Sequence, residues 1–128
     1  MKALLDTHTF LWWNLDDIQL SPIARQIIAD GNNEIFLSAV SAWEMAIKAA
    51  RGRLVLPESP DHYVTKRMQL HHLQSLPVLL SHALHVYHLP PIHADPFDRL
   101  LVAQSQLEKF PILTADENIR QYDVEVIW

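Results

Sequence analysis

The chain has 128 residues, 49 % hydrophobic and 20 % charged, with a net charge of −5 and no cysteine. This describes one globular domain (residues 1–128) with a real core, without a disulfide framework or thiolate chemistry, and argues against a generic polyanion binder with a basic surface. No apolar run approaches the ~20 residues of a bilayer span, and Met1–Asp6 is interrupted by acid too early for a signal peptide, so no membrane association and a cytoplasmic location are expected.

Lys2 to Leu5 is a short apolar run that leaves no room for a helix, and it reads as a buried strand ending at Asp6. Phe10-Leu11-Trp12-Trp13 reads as one helical turn packed on the sheet. Ser21 and Pro22 form the cap and first position of a helix with an Ile23, Ile27 and Ile28 stripe. Gly31-Asn32-Asn33 ends it, and Glu34 to Leu37 is the second strand. Ser38 and Ser41 lead into a helix over residues 42–50, with Trp43, Ala46, Ile47 and Ala50 expected as its buried stripe. Glu44 and Lys48 lie one turn apart beside that stripe. After an extended crossing from Gly52 to Pro57, a helix starts at Pro60-Asp61 and runs to about Leu73.

Leu76 to Leu79 reads as a short edge strand, because Pro77 cannot donate to a ladder. Ser81 to Tyr87 is a helix ended by Leu89-Pro90-Pro91. Asp95-Pro96 opens a long helix to about Glu108, with Asp95 as the cap. Phe110 to Leu113 is the fourth strand. Thr114-Ala115-Asp116-Glu117 fits a capping box at the start of a short helix, and Val124 to Trp128 is the fifth strand.

Strands alternating with helices predict an α/β fold, a parallel sheet covered on both faces. Right-handed crossovers then favour the order 3-2-1-4-5, with a switch point between the first and fourth strands. Sites in such sheets form beyond the carboxyl ends of the strands. Asp6 follows the first strand there, Asp116 follows the fourth, Glu44 is on the helix after the second, and Asp98 begins the helix feeding the fourth. Each acid has a plain local explanation as a cap or a surface partner. Together they do not, because two carboxylates ~5 Å apart repel by roughly 3 kcal/mol at an effective dielectric of about 20. A fold that gathers them holds protons or a divalent cation, and carboxylates suit a hard ion such as Mg²⁺ or Mn²⁺. Such an ion activates water and stabilises charge on a phosphate in transit.

Four segments, Leu4-Leu5-Asp6-Thr7-His8, Ser38-Ala39-Val40-Ser41-Ala42-Trp43-Glu44, His93-Ala94-Asp95-Pro96-Phe97-Asp98-Arg99 and Leu113-Thr114-Ala115-Asp116-Glu117, resemble the PIN-domain ribonucleases in order and spacing. Within them the likeness is to VapC-type toxins of bacterial toxin–antitoxin pairs. The resemblance implies a PIN-like fold, Mg²⁺-dependent endonucleolytic cleavage of RNA, a cognate antitoxin protein and a homodimer. It places Asp6, Glu44, Asp98 and Asp116 in the acidic site, with Asp6 and Asp98 as direct ligands and one or two metals. Thr114 and Ser38 stand beside it, where a hydroxyl could orient a carboxylate. The main departure is the Trp-rich segment after Asp6.

Other residues have modest readings. Arg99, Lys48, Arg51 and Arg53 are candidates for RNA contact. His93 reads as a loop histidine without a role. His82, His85 and His88 drift around their helix and do not suit zinc. Trp12, Trp13, Trp43 and Trp128 read as core or dimer packing rather than base stacking. The apolar residues over 10–13, 60–73 and 81–87 exceed what one small core needs and suggest a surface for self-association or an antitoxin. Two rivals remain open: another Mg²⁺-dependent phosphohydrolase and an inert interaction domain. Asp6-Thr7-His8 lacks the second aspartate of the haloacid-dehalogenase signature, which weakens the first.

Overall fold

The computed structural model describes residues 1–128. Strand β1 (Lys2–Leu5) lies at the centre of a five-stranded sheet, followed by helices α1 (Thr7–Leu15) and α2 (Pro22–Ala29). Then come β2 (Glu34–Ser38), α3 (Ala39–Ala50), α4 (Pro60–Leu70), β3 (Gln74–Leu76) and α5 (Leu80–His85) with a 3₁₀ turn at Val86–His88. The chain closes with α6 (Pro96–Glu108), β4 (Ile112–Leu113), α7 (Glu117–Arg120) and β5 (Val126–Ile127). The strand order is β3-β2-β1-β4-β5, as expected, and every pairing is parallel. Leu4 pairs with Phe36 on one side and Ile112 on the other.

Alternate residues of β1 enter opposite faces, as pleating requires. Ala3 and Leu5 join Phe10, Ala24, Ile28, Met45, Tyr63 and Val64 in one core. Leu4 joins Phe36, Val40, Leu101, Val102 and Ile119 in the other. Thus α1, α2 and α4 cover one face, α6 and α7 the other, and α3 contributes to both. The two layers hold the central strands fixed, so whatever follows the ends of β1 and β4 is rigidly placed.

Three local expectations need correction. The turn expected over 10–13 is a full helix that starts immediately after Asp6, whose carboxylate caps it by accepting from Thr7 N at 2.8 Å. The third strand ends at Leu76 instead of beginning there, because the proline after it supplies no N–H to continue the ladder. The inward face of α3 is Val40, Ser41, Glu44 and Met45, whereas Trp43 is 56 % exposed. Trp43 instead packs edge-on against Phe97 with ring centroids 5.1 Å apart. The rotation buries a carboxylate, which is tolerable only because partners wait for it.

Candidate active site

Asp6 leaves the carboxyl end of β1 and is buried. Its Oδ1 accepts from Thr7 N, and its Oδ2 accepts from the Thr114 hydroxyl at 2.8 Å. Thr114 Oγ1 also accepts from Asp116 N at 3.0 Å, so one buried hydroxyl ties the loop after β4 to the acid after β1. Asp116 itself caps α7, accepting from Asn118 N at 2.8 Å. The cap is therefore Asp116 and not Thr114, a correction to the capping box, since Thr114 is engaged inward.

Asp98 sits in the first turn of α6, positioned by the cap Asp95, whose Oδ1 accepts from Phe97 N at 2.9 Å and Asp98 N at 3.1 Å. Burial pushes the Asp98 carboxyl up to about 7, against the His93 hydrogen bond that lowers it, and the Asp95, Asp6 and Asp116 carboxylates raise it further. Burial also raises Asp6, opposed by Thr114, His8 and Thr7, and Asp116 adds to the rise. Asp6, Asp98 and Asp116 therefore share one electrostatic neighbourhood at the switch point.

Glu44 is also buried but differently satisfied. Its Oε1 accepts from the Thr7 hydroxyl at 2.7 Å, and its Oε2 is paired with Lys48. That bond raises the Lys48 pKa, with Asp95 and Asp98 adding to the rise. Lys48 thus brings one positive charge to Glu44, within electrostatic reach of Asp95 and Asp98.

Several residues fall in unexpected places. His93 is no idle loop residue: its Nε2 lies 3.1 Å from Asp98 Oδ2 and its Nδ1 lies 2.7 Å from the Tyr122 hydroxyl. Arg99 donates to that hydroxyl at 2.9 Å and to the Pro90 carbonyl at 2.7 Å. With Asp98 ionised, the matching tautomer has His93 Nε2–H donating to the carboxylate and Nδ1 accepting from the Tyr122 hydroxyl. Arg99 braces this chain and the Leu89–Pro90 loop instead of reaching into the site. Ser38 caps α3, accepting from Val40 N at 3.0 Å, and its hydroxyl donates to Gln104. It touches no carboxylate of the site. His82 accepts from Leu79 N at 3.0 Å and faces Glu108, His85 faces Gln106, and His88 is exposed, so the three imidazoles serve α5–α6 packing and do not converge. Thr7 and Tyr122 carried no signal in the sequence beyond Thr7 following Asp6.

An open cleft of about 220 Å³ is lined by Asp6, His8, Trp12, Ala115 and Asp116. Hard carboxylate oxygens are the donor chemistry of a divalent cation. As the side chains stand, no three His, Asp or Glu residues are spaced to hold a metal ion. The donor type fits, and a bound cation would lower the raised Asp98 carboxyl.

A parallel sheet with acids gathered beyond the central strands defines a small α/β domain with a carboxylate site at its switch point. A family model for the PIN domain matches residues 3–125, and the chain belongs to that family. Ribonuclease VapC16 of Mycobacterium tuberculosis (strain ATCC 25618 / H37Rv) is 43 % identical over 61 residues, covering 48 % of this chain and 43 % of that protein. The match therefore spans less than half of that relative's length. Among solved structures, VapBC2 from Rickettsia felis, bound to a DNA fragment from its promoter, superposes with a TM-score of 0.73 at 12 % identity, covering 99 % of this chain and 98 % of that one. FitAcB from Neisseria gonorrhoeae gives 0.61 at 19 % identity, covering 100 % and 97 %. At these identities the likeness is one of fold.

Proposed function

We propose that the chain, as a single PIN-like domain, is a Mg²⁺- or Mn²⁺-dependent endoribonuclease acting as the toxin of a toxin–antitoxin pair in the cytoplasm. The observation that carries this reading is the gathering of Asp6, Asp98 and Asp116 at the switch point, where the Asp116 carboxylate raises the proton affinity of Asp6, and Asp6 and Asp116 raise that of Asp98. PIN-domain nucleases are in general metal-dependent, and the partial match to a ribonuclease supports RNA as the substrate. Likeness to VapBC2 and FitAcB supports a partner protein. No helix is long and apolar enough to cross a membrane.

Asp6 and Asp98 are the residues that would hold the ion, with Asp116 beside them. When bound, the ion supplies positive charge against the phosphate and activates water for attack on phosphorus. Thr114 fixes the Asp6 carboxylate, and His93 fixes Asp98. Glu44, already balanced by Lys48 and Thr7, adds negative charge without needing the ion to neutralise it. No side-chain nucleophile is required. The apolar residues Leu79, Leu80, Leu84 and Tyr87, exposed on and around α5, offer a surface for an antitoxin or a second copy.

Incubating the purified chain with total RNA tests the reading. Cleavage with Mg²⁺ that stops with EDTA is expected. Intact RNA under both conditions, or cleavage that survives EDTA, overturns it.

A further inference from the structure

Beside the acids, the cleft has an aromatic wall that metal chemistry does not use. His8 is exposed on the first turn of α1, and Trp12 stands one turn further on, half-buried. Their ring centroids are 5.8 Å apart and their planes tilted by 38°. Trp128 also packs on Trp12, again with ring centroids 5.8 Å apart, and both indoles lie against the core. Both His8 and Trp12 line the same cleft as Asp6 and Asp116. No lysine or arginine lines it.

A chain with a net charge of −5 gains little from the counterion release that drives most nucleic-acid binding. Base stacking on an aromatic face adds affinity without regard to the strand's charge. We propose, resting on the ribonuclease reading, that the His8–Trp12 wall is a base-stacking subsite for the nucleotide next to the scissile phosphate. An ion held by the acids would supply the positive charge for the phosphate, and the adjoining base would meet the rings that line the same cleft. Trp128 braces Trp12, so the platform is preformed and ordering it costs little on binding. Every base has a π-face, so the subsite confers a preference for unpaired RNA over duplex rather than for one sequence.

The test is steady-state cleavage of a short single-stranded RNA with Mg²⁺, paired with quenching of tryptophan fluorescence by the same RNA in EDTA and with Mn²⁺ calorimetry. Trp12→Leu is expected to raise KM by roughly five- to a hundredfold, the value of one stacked base. Mn²⁺ affinity should stay within about twofold, and Trp12→Phe should recover most of the loss. His8→Ala, a surface change, should raise KM by a smaller factor and keep the melting temperature. RNA should quench the wild-type fluorescence and quench Trp12→Phe far less. Wild-type cleavage with unchanged KM in Trp12→Leu and in His8→Ala overturns the subsite and leaves the ribonuclease reading standing. Loss of Mn²⁺ affinity in step with KM also overturns it, because the ring would then act by shaping the acids. A wild-type chain that neither binds nor cleaves RNA overturns both. If Trp12→Leu does not fold, His8→Ala and Trp12→Phe decide the matter.

Discussion

Replacing Asp98 by Asn should stabilise the metal-free protein, and the gain should depend on pH. The Asp98 carboxyl is raised from 3.8 to about 7, first by burial and then by the Asp95, Asp6 and Asp116 carboxylates. A raised carboxyl means that the folded chain keeps a proton which the unfolded chain has released. Stability is therefore fully present below about pH 4, falls as pH rises, and levels off above about pH 7. The displacement corresponds to roughly 4 kcal/mol, and solvent screening at a side chain that is 14 % exposed brings it to about 2–4 kcal/mol. An asparagine keeps the size, can still accept from His93 Nε2, and never ionises. In urea denaturation with EDTA, Asp98→Asn should exceed the wild type by about 2–4 kcal/mol near pH 8 and by less than half of that near pH 5. Mg²⁺ should stabilise the wild type near pH 8 and not the variant. A variant equally or less stable than the wild type at both pH values refutes the reasoning.

Thr114→Val removes the hydroxyl shared by Asp6 Oδ2 and Asp116 N; it should cost about 1–3 kcal/mol in urea denaturation and weaken Mn²⁺ binding by calorimetry. Lys48→Met leaves the buried Glu44 with Thr7 alone; because Lys48 is 40 % exposed, the expected cost is about 1–2 kcal/mol. Adding Glu44→Gln should restore most of it in a double-mutant cycle. Tyr122→Phe deletes the hydroxyl between Arg99 and His93. It should lower Mn²⁺ affinity about tenfold or more for only ~1 kcal/mol of stability, as calorimetry and urea denaturation would show.

The sheet was legible because its strands are continuous apolar runs between turn signals, and crossover handedness leaves few orders for them. Asp6, Asp98 and Asp116 could be picked out as candidates because each follows a strand end or stands at the start of a helix. What escaped depends on partners distant in sequence. Glu44 looked like a flank residue, since Trp43, Ala46, Ile47 and Ala50 form an apolar stripe by themselves. It faces inward because Thr7, 37 positions away, satisfies it. His93 looked idle because Tyr122, 29 positions on, gives its ring an orientation. Ser38 and Arg99 stood near the site by position, yet Gln104 and the Pro90 carbonyl claimed them. Helical periodicity reports which residues are apolar, and it says nothing of a polar residue whose partner arrives from another element.

The central claim is that Asp6 and its neighbours hold a divalent ion that drives RNA hydrolysis. Side-by-side cleavage of one RNA by the wild type and Asp6→Asn, with Mg²⁺ in excess, tests it most directly. Asparagine preserves the cap on α1, since Asn caps about as well as Asp, and removes one ligand charge. The account predicts a fall of several orders of magnitude in rate, because each ~1.4 kcal/mol of lost transition-state stabilisation is tenfold, with metal-free stability held or raised. Cleavage by Asp6→Asn at the wild-type rate would contradict it.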